Sequence, residues 1–297
     1  MNARDPRDVF GLDRRALAQA FDRASASYDA AAALQERVRN ELVGRLDDFK
    51  LAPQSILDLG AGTGHASRAL KRRYPRAIVI AVDIAAGMLE HARSQSRWLR
   101  RFERVRADAY TLPFRDGSFD LIFSSLMLQW CDDLDAVFAE IARVLKPGGA
   151  LVFSTFGPDT LLELRESWRA SGAPGNHVNH FFDAPSLGSA LMHAGLAEPV
   201  LDVDRIVMGY ADVFTLMREL KAIGAHNVTR GRARGLTGRT RLAAMTQAYE
   251  VLRRDGKLPA TYEVIHAICW GGEPRSESAG AREALISPSS IRRRGRA

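Results

Sequence analysis

Apolar positions along the chain change their period near residue 50. Over residues 13–48 they recur at helical spacing, with Leu17, Ala20 and Phe21 on one stripe and Leu34, Val38, Leu42 and Leu46 on another, which predicts two helices ahead of the first strand. From 55 to 156 short continuous apolar runs alternate with amphipathic ones. The runs around 56–59, 77–82, 102–107, 119–125 and 150–156 predict buried strands. The stretches 65–73, 85–97 and 134–145 predict the helices between them, the last stopped by Lys146-Pro147-Gly148-Gly149. Such alternation predicts an α/β fold, a parallel sheet doubly wound with helices on both faces. After Gly157 the order changes, with helical patterns at 159–171, 186–194, 213–223 and 241–253 and strand-like ones at 200–208 and 261–270. The expected organisation is N-terminal helices over 1–49 and a domain over 50–272 interrupted by helical lid insertions at about 158–194 and 212–258. Residues 273–297, ending in Arg292-Arg293-Arg294-Gly295-Arg296, hold too little apolar content to fold, so a disordered basic tail is expected.

The first strand, Ile56-Leu57-Asp58-Leu59, runs into Gly60-Ala61-Gly62-Thr63-Gly64. Glycines at alternate positions let backbone N–H groups approach a ligand closely and let φ become positive. The dinucleotide fingerprint G-x-G-x-x-G would place its third glycine at 65, where this chain has His65, and that weakens a nicotinamide reading. Acids stand at later strand ends. Asp83 closes the second strand about 20 residues past the glycines, where a carboxylate can accept from ribose hydroxyls. Asp108 closes the third. Ligands of open α/β sheets lie outside the carboxyl ends of the strands, which makes Ser124, Ser125, Leu126, Gln129 and Trp130, at the end of the fourth, pocket candidates. Trp130 reads equally as core.

Hydrophobic residues make up 46% of the 297 and charged ones 26%, ordinary for a globular protein. The two cysteines, Cys131 and Cys269, cannot form a disulfide framework and have no paired ligand spacing around them. His177 and His180 lack a third ligand at convincing spacing, so no metal is expected. Neither a leader's apolar core nor a membrane-length apolar run is present, and a cytoplasmic protein without a membrane partner is the expectation. The formal charge of +7 suits either nucleic acid or an acidic protein. Basic residues concentrate in the second insertion, among them Arg218, Lys221, Arg230, Arg232, Arg234, Arg239 and Arg241.

The run Asp58-x-Gly60-x-Gly62-x-Gly64 resembles the signature of class I methyltransferases, whose cofactor is S-adenosyl-L-methionine. That resemblance implies a Rossmann-like, mostly parallel seven-stranded sheet. It also implies cofactor contacts at Asp58, Gly60, Ala61, Gly62, Gly64, Asp83, Ile84, Met88, Asp108, Ala109, Ser124, Gln129 and Trp130. Further motifs narrow it: Phe21-x-x-Ala24-x-x-x-Tyr28-Asp29, Leu128-Gln129-Trp130, the run from Phe153 to Leu161, Leu220-Lys221-Ala222-Ile223-Gly224-Ala225-His226-Asn227, and Leu258-Pro259-Ala260-Thr261-Tyr262. Together these resemble the malonyl-[acyl-carrier protein] O-methyltransferases that open pimelate synthesis for biotin. The likeness spans nearly everything from Phe21 to Trp270; the Arg-rich tail is a departure that no catalytic role in the family requires.

The resemblance implies methyl transfer to the free carboxylate of a malonyl thioester, with Tyr28 and Phe181 at the substrate pocket. Lys221 is a candidate cation for the carboxylate, and an acidic acyl-carrier protein is the expected partner of the basic lid. Residues alone would make Tyr28 a packing aromatic; the motif assigns it to the site. A nucleic-acid or protein methyltransferase is disfavoured because the fourth strand end lacks an N/D-P-P-Y type motif and no RNA-binding module is appended. Quinone-type small-molecule methyltransferases share the first half. Complex I assembly hydroxylases share the fold and some of the region from Phe156 to Leu161, and retention of Tyr28 in its motif argues against them.

Overall fold

The computed structural model describes residues 11–96, 100–172, 178–225 and 238–272. Its strands are β1 (Ser55–Leu59), β2 (Ile78–Asp83), β3 (Glu103–Arg106), β4 (Phe119–Ser125), β5 (Leu145–Phe156), β6 (Leu196–Tyr210) and β7 (Leu258–Gly271). They form one sheet in the order β3-β2-β1-β4-β5-β7-β6. β1 to β5 pair in parallel, and β7 runs antiparallel to both β5 and β6. Ile56, Leu57 and Leu59 of the central β1 are buried on both sheet faces, which is why that strand reads as a continuous apolar run. Edge strands read differently. β3 is Glu-Arg-Val-Arg, and β6 carries Asp202, Asp204 and Arg205, so charge blunts both open edges.

The helices are α1 (Arg14–Ala24), α2 (Tyr28–Ala31), α3 (Ala33–Arg45), α4 (His65–Arg73), α5 (Ala86–Gln95), α6 (Leu134–Val144), α7 (Leu162–Ala170), α8 (Ala184–His193), α9 (Val213–Ala222) and α10 (Arg239–Glu250). Asp13 caps α1 by accepting from the N–H groups of Arg15 and Ala16. Where the sequence predicts two N-terminal helices the structure has three, because the break between the apolar stripes holds the single turn α2. β5 begins at Leu145 rather than after Gly149. Leu145 pairs with Phe119 and Ala150 with Leu121, so 146–149 bulge out between the two pairs, with Gly148 at φ +69°.

Apolar clusters fill both sides of the sheet, one around Leu57, Ile122, Phe138 and Phe153, the other around Leu42, Ile56, Leu70 and Phe123. A third joins the inserted helices to β7: Trp168, Leu216, Met245, Tyr249 and Val264 pack together. Burying one such side chain contributes about 1.5–3 kcal/mol. Two of the sequence motifs meet in this third cluster. The Gly157 N–H donates to the Glu263 carbonyl (2.9 Å), that of Asp159 to the Glu263 carboxylate (2.7 Å), and that of Leu161 to the Thr261 carbonyl (2.6 Å). Glu163 reciprocates by accepting from the Thr261 N–H at 3.0 Å. This joint fixes the first insertion onto β7. No described helix is long and apolar enough to cross a membrane.

Candidate active site

The glycine turn leaves β1 at Leu59 and is strapped to β2, with the N–H groups of Gly60 and Ala61 donating to the Val82 carbonyl at 2.8 and 2.9 Å. Gly60 has φ +75°, and a Cβ there would lie 2.2 Å from Met127 Cγ. Only glycine fits that approach. Asp83 is held at the end of β2 by the N–H groups of Gly62 and Ala85, each 2.9 Å from one carboxylate oxygen. Burial nevertheless pushes its carboxyl above the usual range, against those two bonds. Asp58, 1% exposed beneath the turn, accepts from the Ser67 hydroxyl. Burial raises its carboxyl to about 7, and the charge of Asp83 acts in the same direction.

Over this turn lies a cavity of about 940 Å³, part of it open to solvent. Gly60, Gly62 and Asp83 form its floor, Ile84, Met88, Asp108 and Ala109 one end, and Gln129 and Trp130 a wall. The N-terminal helices supply the roof through Arg14, Leu17, Phe21 and Tyr28. Two carboxylates of one motif tie that roof down. Asp22 accepts from the Gly87 N–H at 2.7 Å. Asp29 accepts from the Thr63 hydroxyl at 2.6 Å and faces His65 Nε2 at 3.0 Å. Burial disfavours the Asp29 carboxylate, but its bonds to Thr63 and His65 prevail and hold the group below the usual range. Phe21 meets Trp130 edge-on at 5.3 Å. Arg14 reaches Asp108 at 3.1 Å while its guanidinium lies over the Tyr110 ring at 4.6 Å.

Most of the expected residues come together here. Tyr28, Gly60, Gly62, Asp83, Ile84, Met88, Asp108, Ala109, Gln129 and Trp130 line the cavity, while Asp58 and Ala61 line an adjoining pocket behind the turn. Gly64 supports the turn, with φ +82° and Ala92 against it. Ser124 lies outside the cavity: its hydroxyl donates to the Leu59 carbonyl at 2.8 Å inside the sheet, and the next residue, Ser125, lines the space. Phe181 is also outside, packed edge-on at 5.8 Å behind Phe156, which does line the cavity. Lys221 projects into a separate surface groove, whereas Ile223 and Ala225 of the same motif reach the cavity. His177, His226, Asn227, Arg230, Arg232, Arg234 and the tail 273–297 lie outside the described residues. Among the described residues no group of three His, Cys, Asp or Glu side chains could hold a metal ion.

Sequence reasoning missed Arg14, Gln35, Tyr110 and Phe156 as lining residues. Arg14 carried a readable signal, since 14, 17 and 21 share one helical face. Gln35 did not, and its Oε1 is buried without a partner beside Tyr28 and Gly62.

Residues 57–153 match the family described as "Methyltransferase domain". The malonyl-[acyl-carrier protein] O-methyltransferase of Methylovorus sp. is 50% identical over 274 residues, covering 90% of this chain and 92% of that one. The enzyme of the same name from Halorhodospira halophila is 44% identical over 297 residues, covering 98% and 100%. Among solved structures, a putative methyltransferase from Bacillus halodurans superposes with a TM-score of 0.57 at 17% identity, covering 79% of this chain and all of that one, a likeness of fold. With such identity sustained over nearly the whole of both relatives, the chain belongs to the malonyl-[acyl-carrier protein] O-methyltransferase family.

Proposed function

We infer that the chain binds S-adenosyl-L-methionine in the cavity over the glycine turn and methylates the free carboxylate of a malonyl thioester presented by an acidic acyl-carrier protein, giving the methyl ester for pimelate and biotin synthesis. The observation that carries this reading is the placement of Asp83, aimed at the cavity from a strand end beside two glycines. The fit to a nucleoside with a positively charged sulfur is good. A Cβ at Gly62 would meet nothing within 4 Å, so the turn leaves open space where a ligand can lie. Ile84 and Met88 offer apolar surface for a purine ring, Asp83 and Asp108 offer acceptors, and aromatic Tyr28, Trp130 and Phe156 suit a cation. When bound, the cofactor supplies an electrophilic methyl group.

The chain's own task is alignment and dryness. A malonyl carboxylate, with a reference pKa of ~4, is ionised at neutral pH and needs no base. Tyr28 serves as a donor: burial, with the charges of Asp83 and Asp29, pushes its phenol well above the usual value and keeps the proton on it. Its hydroxyl has no hydrogen-bond partner among the described residues, which leaves that proton available to a substrate oxygen. Leu17, Phe21, Trp130 and Phe156 exclude water that would otherwise solvate the carboxylate. Of the insertions expected over about 158–194 and 212–258, α7, α9 and α10 act in this reading as the lid on the substrate side, whereas α8 packs Leu187 and Leu191 into the core of the sheet. Cys131 and Cys269, both free and buried, suit a reducing compartment, and we place the enzyme in the cytoplasm.

The test is an assay with methyl-labelled cofactor and malonyl carried on acyl-carrier protein or on coenzyme A. A base-labile methyl ester on the carrier-bound malonyl group is the expected product. Label incorporated into neither substrate would overturn the assignment.

A further inference from the structure

A second groove, of about 1640 Å³ and open to solvent, lies between α1 on one side and α7 and α9 on the other. Ala20, Ala24, Leu164, Met217 and Leu220 make its floor apolar. Arg23, Arg218 and Lys221 stand on its rim, all three exposed, and no carboxylate is among its described lining residues. None of the three has an ion-pair partner among the described residues, and Arg218 bonds only the neutral hydroxyl of Thr215, at 2.9 Å. Asp212, the N-cap of the helix that carries Arg218, feels the Arg218 charge but lies off the groove. With three like charges on the rim and no carboxylate among its described lining residues, the arrangement favours an anionic visitor.

The groove leads to the site. Ala225 lines both this groove and the cavity, and the wall between them is thin: the Ser27 hydroxyl donates to the Ala222 carbonyl at 2.9 Å, and a Cβ on Gly224 would sit 3.1 Å from the Phe21 ring. An apolar floor with a cationic rim, ending where Tyr28 and Phe21 roof the cavity, fits a molecule with an anionic outer part and an uncharged extended arm. We propose that this groove is the docking channel for the substrate's carrier. Arg23, Arg218 and Lys221 receive its acidic surface and the phosphodiester of its arm, and the arm's uncharged portion lies along Ala24, Leu164 and Met217 toward Ala225. This rests on the functional reading given above and assigns its protein partner to a face that the glycine turn and Asp83 do not touch. It also gives Lys221 a place in docking instead of at the reacting carboxylate.

The experiment compares wild type with Arg23→Glu/Arg218→Glu, using malonyl acyl-carrier protein and, as a short substrate lacking both phosphate and protein, the malonyl thioester of N-acetylcysteamine. The expected result is a KM for the carrier substrate raised about tenfold or more, with a flattened salt dependence. Cofactor affinity by calorimetry and turnover of the short thioester should stay within about twofold of wild type, the spread expected of surface changes remote from the chemistry. If the double variant fails to bind cofactor, Arg23→Gln/Arg218→Gln is measured instead and should raise the same KM. An unchanged KM and salt dependence for the carrier substrate in a variant that binds cofactor would overturn the groove assignment alone. Wild type that methylated neither thioester would overturn the functional reading instead.

Discussion

Replacing Asp29 by alanine should loosen the roof of the cavity while leaving the sheet intact. The carboxylate is the acceptor for the Thr63 hydroxyl and the partner of His65. Thr63 is 4% exposed, so stripping its acceptor leaves a buried donor unsatisfied, which costs about 1–3 kcal/mol. The His65 contact adds little, because the Asp29 side chain is 47% exposed and solvent-screened pairs contribute only ~0.2–1 kcal/mol. The loss falls on the local docking of α1 and α2, which Asp22 still anchors at Gly87 and Ser27 at Ala222. At 1.4 kcal/mol per tenfold, opening of 14–31 should become about 5- to 150-fold more frequent. Hydrogen exchange resolved to peptides reads this directly. Asp29→Asn keeps an oxygen for Thr63 and should sit near wild type. The sign with pH follows from the depressed carboxyl of Asp29. Its stabilisation is complete above the unfolded value of ~3.9 and is lost as pH falls through the lower folded value, so wild type but not Asp29→Ala should lose roof protection in that acid window. Equal exchange over 14–31 in wild type and Asp29→Ala would refute the latch.

Tyr28→Phe should cut turnover about ten- to a hundredfold, the effect of losing one donor to a charged acceptor in a dry pocket, with cofactor affinity by calorimetry nearly unchanged. Unaltered turnover would return Tyr28 to packing. Asp83→Ala should weaken cofactor binding by about 1–3 kcal/mol, and it also frees the N–H groups of Gly62 and Ala85 that Asp83 holds, so calorimetry on a variant shown by thermal melting to be folded is the measurement. Gly60→Ala places a methyl group 2.2 Å from Met127 Cγ at φ +75°, and both thermal stability and cofactor binding should fall together. Asp58, raised to about 7 in the fold, binds its proton more tightly folded than unfolded. Its contribution to stability is therefore full below about pH 4 and is lost as pH rises toward 7, a slope that Asp58→Asn should flatten in denaturant titrations.

The parallel half of the fold was legible because its signals are local. β1 is an apolar run closed by the glycine turn, β4 one opened by the turn at 115–118, and α4 follows its glycine cap directly, so 119–125 and 65–73 coincide with the observed elements. β6 was seen only as 200–208 against Leu196–Tyr210 because, as an edge strand, it carries charges at positions that a buried strand would fill with valine. The site divides the same way. Carboxylates at strand ends can be found by counting along the chain. Phe156, Gln35 and Ile223 reach the cavity only through the tertiary placement of β5, α3 and the segment after α9, and no spacing in the sequence encodes that. The motifs Phe153 to Leu161 and Leu258 to Tyr262 are visible in the sequence but not as two halves of one joint, because the bond from the Leu161 N–H to the Thr261 carbonyl, like those to Glu263 just past the second motif, crosses about a hundred residues of chain.

The position of β7 sets the order in which the molecule can be assembled. It is slotted between β5 and β6, both of which precede it in synthesis, so a nascent chain that has emerged only as far as α10 holds β5 with one side unpaired and β6 with no neighbour at all. The open edge of β5 is the apolar one, from Ala150 to Phe156, and it stays open until the last strand leaves the ribosome. A chain truncated before Leu258 therefore keeps every glycine and acid of the cofactor floor and yet should accumulate as aggregate. Fusions at the C-terminal side, by contrast, follow a strand already locked on both edges.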